Sequence, residues 1–210
     1  MPLDLTLAAV EDDIADAWER HCGDLDFVTV HRGSILDLAC DALVSPANSF
    51  GFMDGGIDMA YSKHFGWHVQ ARLQEAIRTR HHGELLVGRA EIVETGDPVL
   101  PYLIAAPTMR VPMLLRDTVN PYLAARAVLL FVNHGAFPDG MPVREKVRSV
   151  AFPGLGTGVG GVSADTCARQ VRAAIDSVLL GIDSLPSAWW EAEKQHIDLI
   201  GGASRSLQHG

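Results

Sequence analysis

The sequence is poor in cysteines, in long apolar runs and in basic residues. No apolar run in its 210 residues approaches the roughly 18–20 that a membrane-spanning helix needs, so we expect no membrane partner. The first residues, MPLDLTLAAVEDD, lack a basic region and become acidic quickly, unlike a signal peptide. The three cysteines lack CxxC spacing, which indicates reduced, buried thiols in a cytoplasmic protein and no metal site: Cys22, Cys40 and Cys167.

Basic residues are outnumbered, with 17 Lys and Arg against 26 Asp and Glu, for a formal net charge of -9. An acidic surface repels phosphate backbones, so we expect no nucleic-acid polymer as a partner. A small anion remains compatible with this charge, because backbone amides and helix N-termini can bind it. The composition, 48% hydrophobic and 20% charged, is globular, and the length suits one domain or one domain with extensions.

Short apolar strands alternate with helical patterns along most of the chain. Apolar residues at helical spacing predict a helix over 5–22, and a second helix over 57–80 is interrupted near Gly66. Asn120 is the expected cap of a helix over 121–133, and Ser163 of a core helix that ends at residue 180. The predicted strands are 27–30, 42–44, 89–94, 102–105 and 147–152. This alternation predicts an α/β fold, with a largely parallel sheet between helices.

Two glycine-containing loops, 46–58 and 152–161, each connect a buried strand to a helix. Glycines leave backbone N–H groups accessible and let the chain approach a ligand closely, and the helix behind each loop adds the positive end of its dipole. Such loops suit a diphosphate without Lys or Arg. The alternative is that the glycines only make tight turns. Two loops at the carboxyl ends of buried strands favour a ligand crevice.

The second loop also contains a GxGxxG match at 156–161, which is a weak signal by itself. In a dinucleotide-binding unit this motif opens the domain and is followed by a second strand with an acidic residue. Here it lies near the end of the chain, and no phosphate-loop Lys-Ser/Thr follows it. Both common nucleotide-binding folds are therefore disfavoured.

The two loops together resemble the macrodomain family. The strand Ala42-Leu43-Val44 leads into Pro46-Ala47-Asn48 and then Gly55-Gly56-Ile57-Asp58, and PGLGTGVGG is followed by a Ser-capped helix. The ten-residue spacing from Asn48 to Asp58 is closest to that of the MacroD-type ADP-ribosyl hydrolases. The resemblance implies a three-layer α/β/α fold with a mixed, mostly parallel sheet over 27–183. Residues 1–26 are then a helical N-terminal extension, and 184–210 a C-terminal tail.

The resemblance also implies a role for each matching residue. The catalytic residues are Asp58, which orients or activates a water against the anomeric carbon, and Asn48, which hydrogen-bonds the distal ribose. The alternative is that Asp58 has no role at a ligand and is an ordinary first-turn carboxylate that the helix dipole favours. The family usually has Gly-Asp-Ile where this chain has Gly33-Ser34-Ile35, which puts adenine recognition in question, with Asp37 as a partial substitute. The implied ligand-binding residues are Ser34, Ile35, Asn48, Gly55, Gly56, Ile57, Gly154, Gly156, Thr157, Gly158 and Val159.

The implied function is binding of ADP-ribose and hydrolysis of an ADP-ribosyl linkage, on a protein or on a small-molecule derivative. No cofactor is implied. The alternatives are a non-catalytic reader of ADP-ribose and a binder of another nucleotide metabolite. The scattered histidines indicate a solvated helix face rather than a metal site, and Arg110 and Arg116 suit salt bridges at least as well as an anionic ligand. Phe50 or Phe52 can cover the ligand, and Trp189-Trp190 suits a core edge.

Overall fold

The protein alternates strands and helices along most of its length, beginning with a strand at Asp4. The structure, a computed structural model, describes residues 3–182 and 185–201. The strands are β1 (Asp4–Ala9), β2 (Val28–Arg32), β3 (Ala42–Ser45), β4 (Glu91–Glu94), β5 (Tyr102–Ala105) and β6 (Ser149–Phe152). The helices are α1 (Asp12–Cys22), α2 (Gly56–Phe65), α3 (His68–Arg80), α4 (Asn120–His134), α5 (Ala164–Val178) and α6 (Trp189–Ile200), with 3-10 turns at Ile35–Asp37 and Val143–Glu145.

The six strands form one sheet in the order β2-β1-β6-β3-β5-β4. Strands β2, β1, β6, β3 and β5 run parallel to one another, and β4 pairs antiparallel with β5 at one edge. Strands β3 and β5 are buried along their whole length, as expected for parallel strands with both faces covered. The predicted α/β fold with a mixed, mostly parallel sheet is confirmed.

Helices cover both faces of the sheet and bury a separate core on each. Successive residues of a strand point to opposite faces, so Val44 joins the core beneath α1, α4 and α5, whereas Leu43 joins the core beneath α2 and α3. Trp18 on α1 and Tyr61 on α2 are fully buried in these two cores. The three-layer arrangement is therefore observed.

The N-terminal segment differs from the predicted helix over 5–22. Its first part is β1, and the helix α1 begins only at Asp12. Leu5, Leu7 and Ala9 share one face of the segment at the period of a strand, and Val10, an apolar residue within the predicted helix, is 70% exposed. Leu7 lies opposite both Val30 and Phe152, so β1 is an interior strand of the sheet. The expectation of a purely helical extension is wrong.

Helix boundaries match the predictions in most places. The interruption near Gly66 separates α2 from α3, and the Ser163 hydroxyl accepts a hydrogen bond from the Thr166 amide at 3.2 Å at the start of α5. The prediction that Asn120 caps α4 is wrong, because Val119 is the N-cap. The Asn120 side-chain amide donates instead to the Thr108 carbonyl at 2.7 Å.

Helix α6 occupies part of the predicted C-terminal tail and packs on α5, where the Gln170 amide donates to the Leu199 carbonyl at 3.1 Å. Trp189 and Trp190 are both more than 60% exposed, so neither caps a core edge. The predicted boundary at 183–184 and residues 202–210 lie outside the described residues. Among the helices of the described part, none is long and apolar enough to cross a membrane.

Candidate functional site

A cavity of about 490 Å³ opens at the carboxyl ends of the parallel strands. Its walls come from the loops that follow β1, β2, β3, β5 and β6, the position at which open α/β sheets bind ligands. The structure brings every predicted site residue to this cavity: Ser34, Ile35, Asn48, Gly55, Gly56, Ile57, Asp58, Gly154, Gly156, Thr157, Gly158 and Val159.

The first glycine loop presents the N-terminus of α2 to the cavity. Gly55 is the N-cap of this helix, and no side chain caps it. Gly56 has a φ of +54°, a left-handed conformation that favours glycine, and side chains at Gly55 or Gly56 would project into open space. The first N–H groups of a helix have no intrahelical partner, so those of α2 are available to an anion.

The second glycine loop is shaped by its own contacts. Gly156 has a φ of +70°, and its carbonyl accepts a hydrogen bond from the Val162 amide at 3.1 Å. A Cβ atom at Gly160 would collide with that same carbonyl, so Gly156 and Gly160 are needed for the turn itself. Gly158 has no such constraint, because a Cβ atom there would meet nothing within 4 Å. The tight-turn interpretation therefore applies to Gly156 and Gly160, whereas the turn does not require a glycine at position 158.

Asp58 lies in the first turn of α2 at the wall of the cavity, and only 8% of its surface is exposed. The Ser45 hydroxyl donates a hydrogen bond to its Oδ1 at 2.5 Å. Burial raises the pKa of the Asp58 carboxyl to about 7, although the hydrogen bond from Ser45 acts in the opposite direction. The carboxyl therefore changes its protonation near neutral pH, which suits a group that accepts or donates a proton.

Asn48 lies in the cavity wall, but most of its amide is engaged within its own loop. Its Oδ1 accepts from the Phe50 and Phe52 amides at 3.1 and 3.3 Å, and its Nδ2 donates to the Phe52 carbonyl at 2.9 Å. A side-chain amide has two N–H groups, so one remains for a ligand. Phe52, 54% exposed, lines the cavity, whereas Phe50 does not.

The segment after β2 forms the far wall of the cavity. The Ser34 hydroxyl accepts from the Leu36 amide at 3.2 Å and caps the short 3-10 turn, which leaves its own proton to donate. Ile35 is buried beside it. Asp37, the possible substitute for the acid usual in the family, is exposed and does not line the cavity, so that expectation is wrong.

Part of the cavity wall was missed by sequence reasoning. The carboxyl end of β1 and the start of α1 contribute one side, and the loop after β5 contributes another. A strand over residues 5–9 could have been predicted from the apolar residues at every second position, but the helical prediction over 5–22 included them. The residues that line the wall include Glu11, Asp54 and Asp58, and no Lys, Arg or His is among the described residues that line it.

The remaining polar candidates have other partners. Arg110 pairs with Glu84 at 2.7 Å and lies over the Phe50 ring, so its salt-bridge interpretation is the right one. His68 contacts the Thr95 carbonyl and His81 contacts Glu91. In the described ranges, no group of three or more His, Cys, Asp or Glu is placed to hold a metal ion.

Comparison with known sequences gives the same family that the two glycine loops resemble. The model of the Macro domain family matches residues 44–171. An uncharacterized protein of Aquifex aeolicus is 32% identical over 144 residues, which are 69% of this chain and 78% of that protein. A protein of Thermus aquaticus named DNA ADP-ribosyl glycohydrolase is 24% identical over 149 residues, 70% of this chain but 37% of that protein.

Solved structures show the same fold. The macrodomain of Mycobacterium tuberculosis DarG superposes with a TM-score of 0.58 and 21% identity, over 71% of this chain and 90% of that one. The Trypanosoma brucei macrodomain in complex with ADP-ribose gives a TM-score of 0.51 and 21% identity, over 84% of this chain and 67% of that one.

Proposed function

The chain belongs to the Macro domain family, and from that premise we propose that it binds ADP-ribose in the cavity and hydrolyses an ADP-ribosyl linkage. One observation carries the proposal: the uncapped N-terminus of α2 and the buried residue Asp58 line the same cavity. The first supplies an anion site, and the second supplies a group that titrates near neutral pH. The related structure with bound ADP-ribose and the relative named as a glycohydrolase support it.

In this proposal, backbone amides hold the diphosphate. Gly158 and its loop neighbours surround the phosphates, and the amides of Gly55, Gly56 and Ile57 meet the phosphate and distal ribose. Asn48 gives its remaining N–H group to that ribose. Ser34 and Ile35 lie where the adenine base binds, and the Ser34 hydroxyl can donate a hydrogen bond to that base.

The reaction requires water to replace the attached group at the anomeric carbon. The water oxygen forms the new bond to that carbon, and the Asp58 carboxylate accepts a proton from the water. The bond to the modified side chain breaks, and the leaving group takes the electron pair and finally the proton. Free ADP-ribose and the unmodified side chain result. A carboxyl with a pKa of about 7 is half ionised at neutral pH, which suits this task.

The chemistry of the cavity wall favours a modified protein as the substrate. The acidic residues Glu11 and Asp54 line the wall, and the protein carries a formal charge of -9. A nucleic acid attached to the bound ADP-ribose would be repelled by these charges. We therefore propose protein substrates, although the Thermus aquaticus relative is named for DNA. The ten-residue spacing from Asn48 to Asp58 supports a MacroD-type hydrolase.

A non-catalytic reader is the second candidate. The observation in its favour is that Asp58 is largely buried and already accepts a hydrogen bond from Ser45. Ser34, in place of an acid, supports a third candidate, a binder of another nucleotide metabolite. Calorimetric titration with ADP-ribose, AMP and NAD separates this third candidate from the other two.

Release of ADP-ribose from modified proteins tests catalysis. We expect Asp58→Ala to bind ADP-ribose but to release it about 10²–10⁴ times more slowly than the wild type. Asp165→Ala is the matched control, because Asp165 is also a first-turn carboxylate but lies outside the cavity. Equal rates for wild type and Asp58→Ala would reject Asp58 as the catalytic residue. Binding without any release would favour the reader.

A further inference from the structure

The serine at the end of β3 is buried, and its backbone is held by the sheet. Ser45 has no exposed surface and pairs with Ala105 of β5, and its carbonyl accepts from the Ala106 amide at 2.9 Å. These contacts fix its backbone. Its hydroxyl is therefore directed at Asp58 by the sheet rather than by a mobile loop.

The Ser45 hydroxyl is the one side-chain donor to the Asp58 carboxyl within the described residues. Tyr61, one turn further along α2, donates its hydroxyl to the Val44 carbonyl at 3.0 Å and is not available to Asp58. Burial raises the pKa of Tyr61 well above its ordinary value and that of Cys40, which faces Tyr61, to about 11. Both groups are neutral at physiological pH, so neither places a second negative charge beside the Asp58 carboxylate.

We propose that Ser45 is a positioning residue, whose hydroxyl orients the Asp58 carboxyl and favours the ionised form that accepts a proton from water. A hydrogen bond to a charged oxygen is stronger than one to a neutral oxygen, so the donor stabilises the carboxylate over the acid. This inference rests on the proposed hydrolysis. It adds that activity at neutral pH depends on a residue outside both glycine loops.

A purely structural role for Ser45 predicts a different result. If the hydroxyl only fills its space in the sheet, its removal lowers stability and leaves the titration of Asp58 unchanged. If it favours the carboxylate, its removal moves the titration of Asp58 to higher pH. Each unit of that shift lowers the ionised fraction about tenfold on the acidic side of the midpoint.

The experiment compares the wild type with Ser45→Ala, Ser45→Cys and Ser45→Thr. Ser45→Cys keeps the side-chain size with a weaker donor, and Ser45→Thr keeps the hydroxyl. The matched control is Ser62→Ala, because Ser62 is also buried, lies on α2 with Asp58 and donates to the Met53 carbonyl instead. The first measurement is the carboxyl ¹³C titration of Asp58 in the ligand-free protein, assigned with Asp58→Asn. The second is the pH dependence of single-turnover ADP-ribose release.

We expect the midpoint of Asp58 to rise in Ser45→Ala, to rise less in Ser45→Cys, and to stay near the wild-type value in Ser45→Thr and Ser62→Ala. The acidic limb of the release profile should move with it. An unchanged carboxyl midpoint in Ser45→Ala, or in Ser45→Cys if the alanine variant does not fold, would overturn the proposal. The carboxyl titration needs no turnover, so the two proposals can fail separately. If the Asp58 midpoint shifts in Ser45→Ala but the wild type does not hydrolyse its substrate, the proposed function is rejected and the effect of Ser45 on Asp58 stands.

Discussion

The Asn48 side chain hydrogen-bonds both backbone polar groups of Phe52, accepting from its N–H at 3.3 Å and donating to its carbonyl at 2.9 Å. The residue proposed to contact the ribose therefore also shapes the first loop. We expect Asn48→Ala to weaken ADP-ribose binding about tenfold or more, since the loss of one hydrogen bond to a ligand costs about that much. The release rate should fall too. Isothermal titration with ADP-ribose measures the affinity, and the control variant is Asn133→Ala, since Asn133 lies on α4 outside the cavity. Equal affinities of Asn48→Ala and the wild type would contradict the role of Asn48.

Gly158 is the glycine best suited to testing the location of the pocket. A side chain there enters open space without backbone strain, whereas Gly56 has a positive φ that strains any replacement. We expect Gly158→Glu to abolish ADP-ribose binding, because its carboxylate occupies and repels the phosphate path. Its melting temperature should stay near that of the wild type. Gly158→Ala is the control and should retain binding. Wild-type affinity in Gly158→Glu would place the ligand elsewhere.

The salt dependence of binding tests how the diphosphate is held. The described cavity wall contains no Lys or Arg, so backbone amides carry the interaction. Fixed dipoles at short range are screened less than exposed charges, and we expect affinity to fall no more than about threefold between about 0.05 and about 0.5 M salt. Calorimetry at several salt concentrations measures this. A steep decline would show that cationic side chains outside the cavity wall take part.

Asp58 should make the protein less stable above neutral pH. Its pKa is raised from 3.8 to about 7, so ionising the carboxyl destabilises the folded protein but not the unfolded chain. The unfolding free energy therefore falls as pH rises from about 4 to about 7. Asp58→Asn should therefore exceed the wild type in unfolding free energy by a few kcal/mol above pH 7, since one pKa unit corresponds to about 1.4 kcal/mol.

Urea denaturation at several pH values measures this difference. The two proteins should converge below about pH 4, where the wild-type carboxyl is neutral in both states. A constant difference across the whole range would mean that packing, rather than ionisation, distinguishes Asp58 from Asn.

Leu7 tests the place of the N-terminal segment. It is fully buried on β1 between β2 and β6, so Leu7→Ala should lower the unfolding free energy by about 2–5 kcal/mol. Val10, three residues later and 70% exposed, is the control, and Val10→Ala should cost less than about 0.5 kcal/mol. Chemical denaturation separates the two. An unchanged midpoint in Leu7→Ala would mean that β1 does not belong to the folded core.

Much of the cavity was predictable from local sequence, because turns and caps depend on neighbouring residues. The glycines at 55–56 and 154–161, the Ser163 cap and the break at Gly66 all act within a few residues of their own position. The alternation of buried strands with helices likewise determined the fold class. Every predicted site residue therefore reached one cavity.

Only the tertiary structure decided the place of β1 and the environment of Asp58. Residues 5–22 fit a helical period almost as well as a strand followed by a helix, and pairing with β2 and β6 selects the strand. The glutamate at the start of α1 then joins the cavity wall. Asp58 meets Ser45 thirteen residues away because β3 and α2 pack together, and burial, which no local pattern encodes, raises its pKa to about 7.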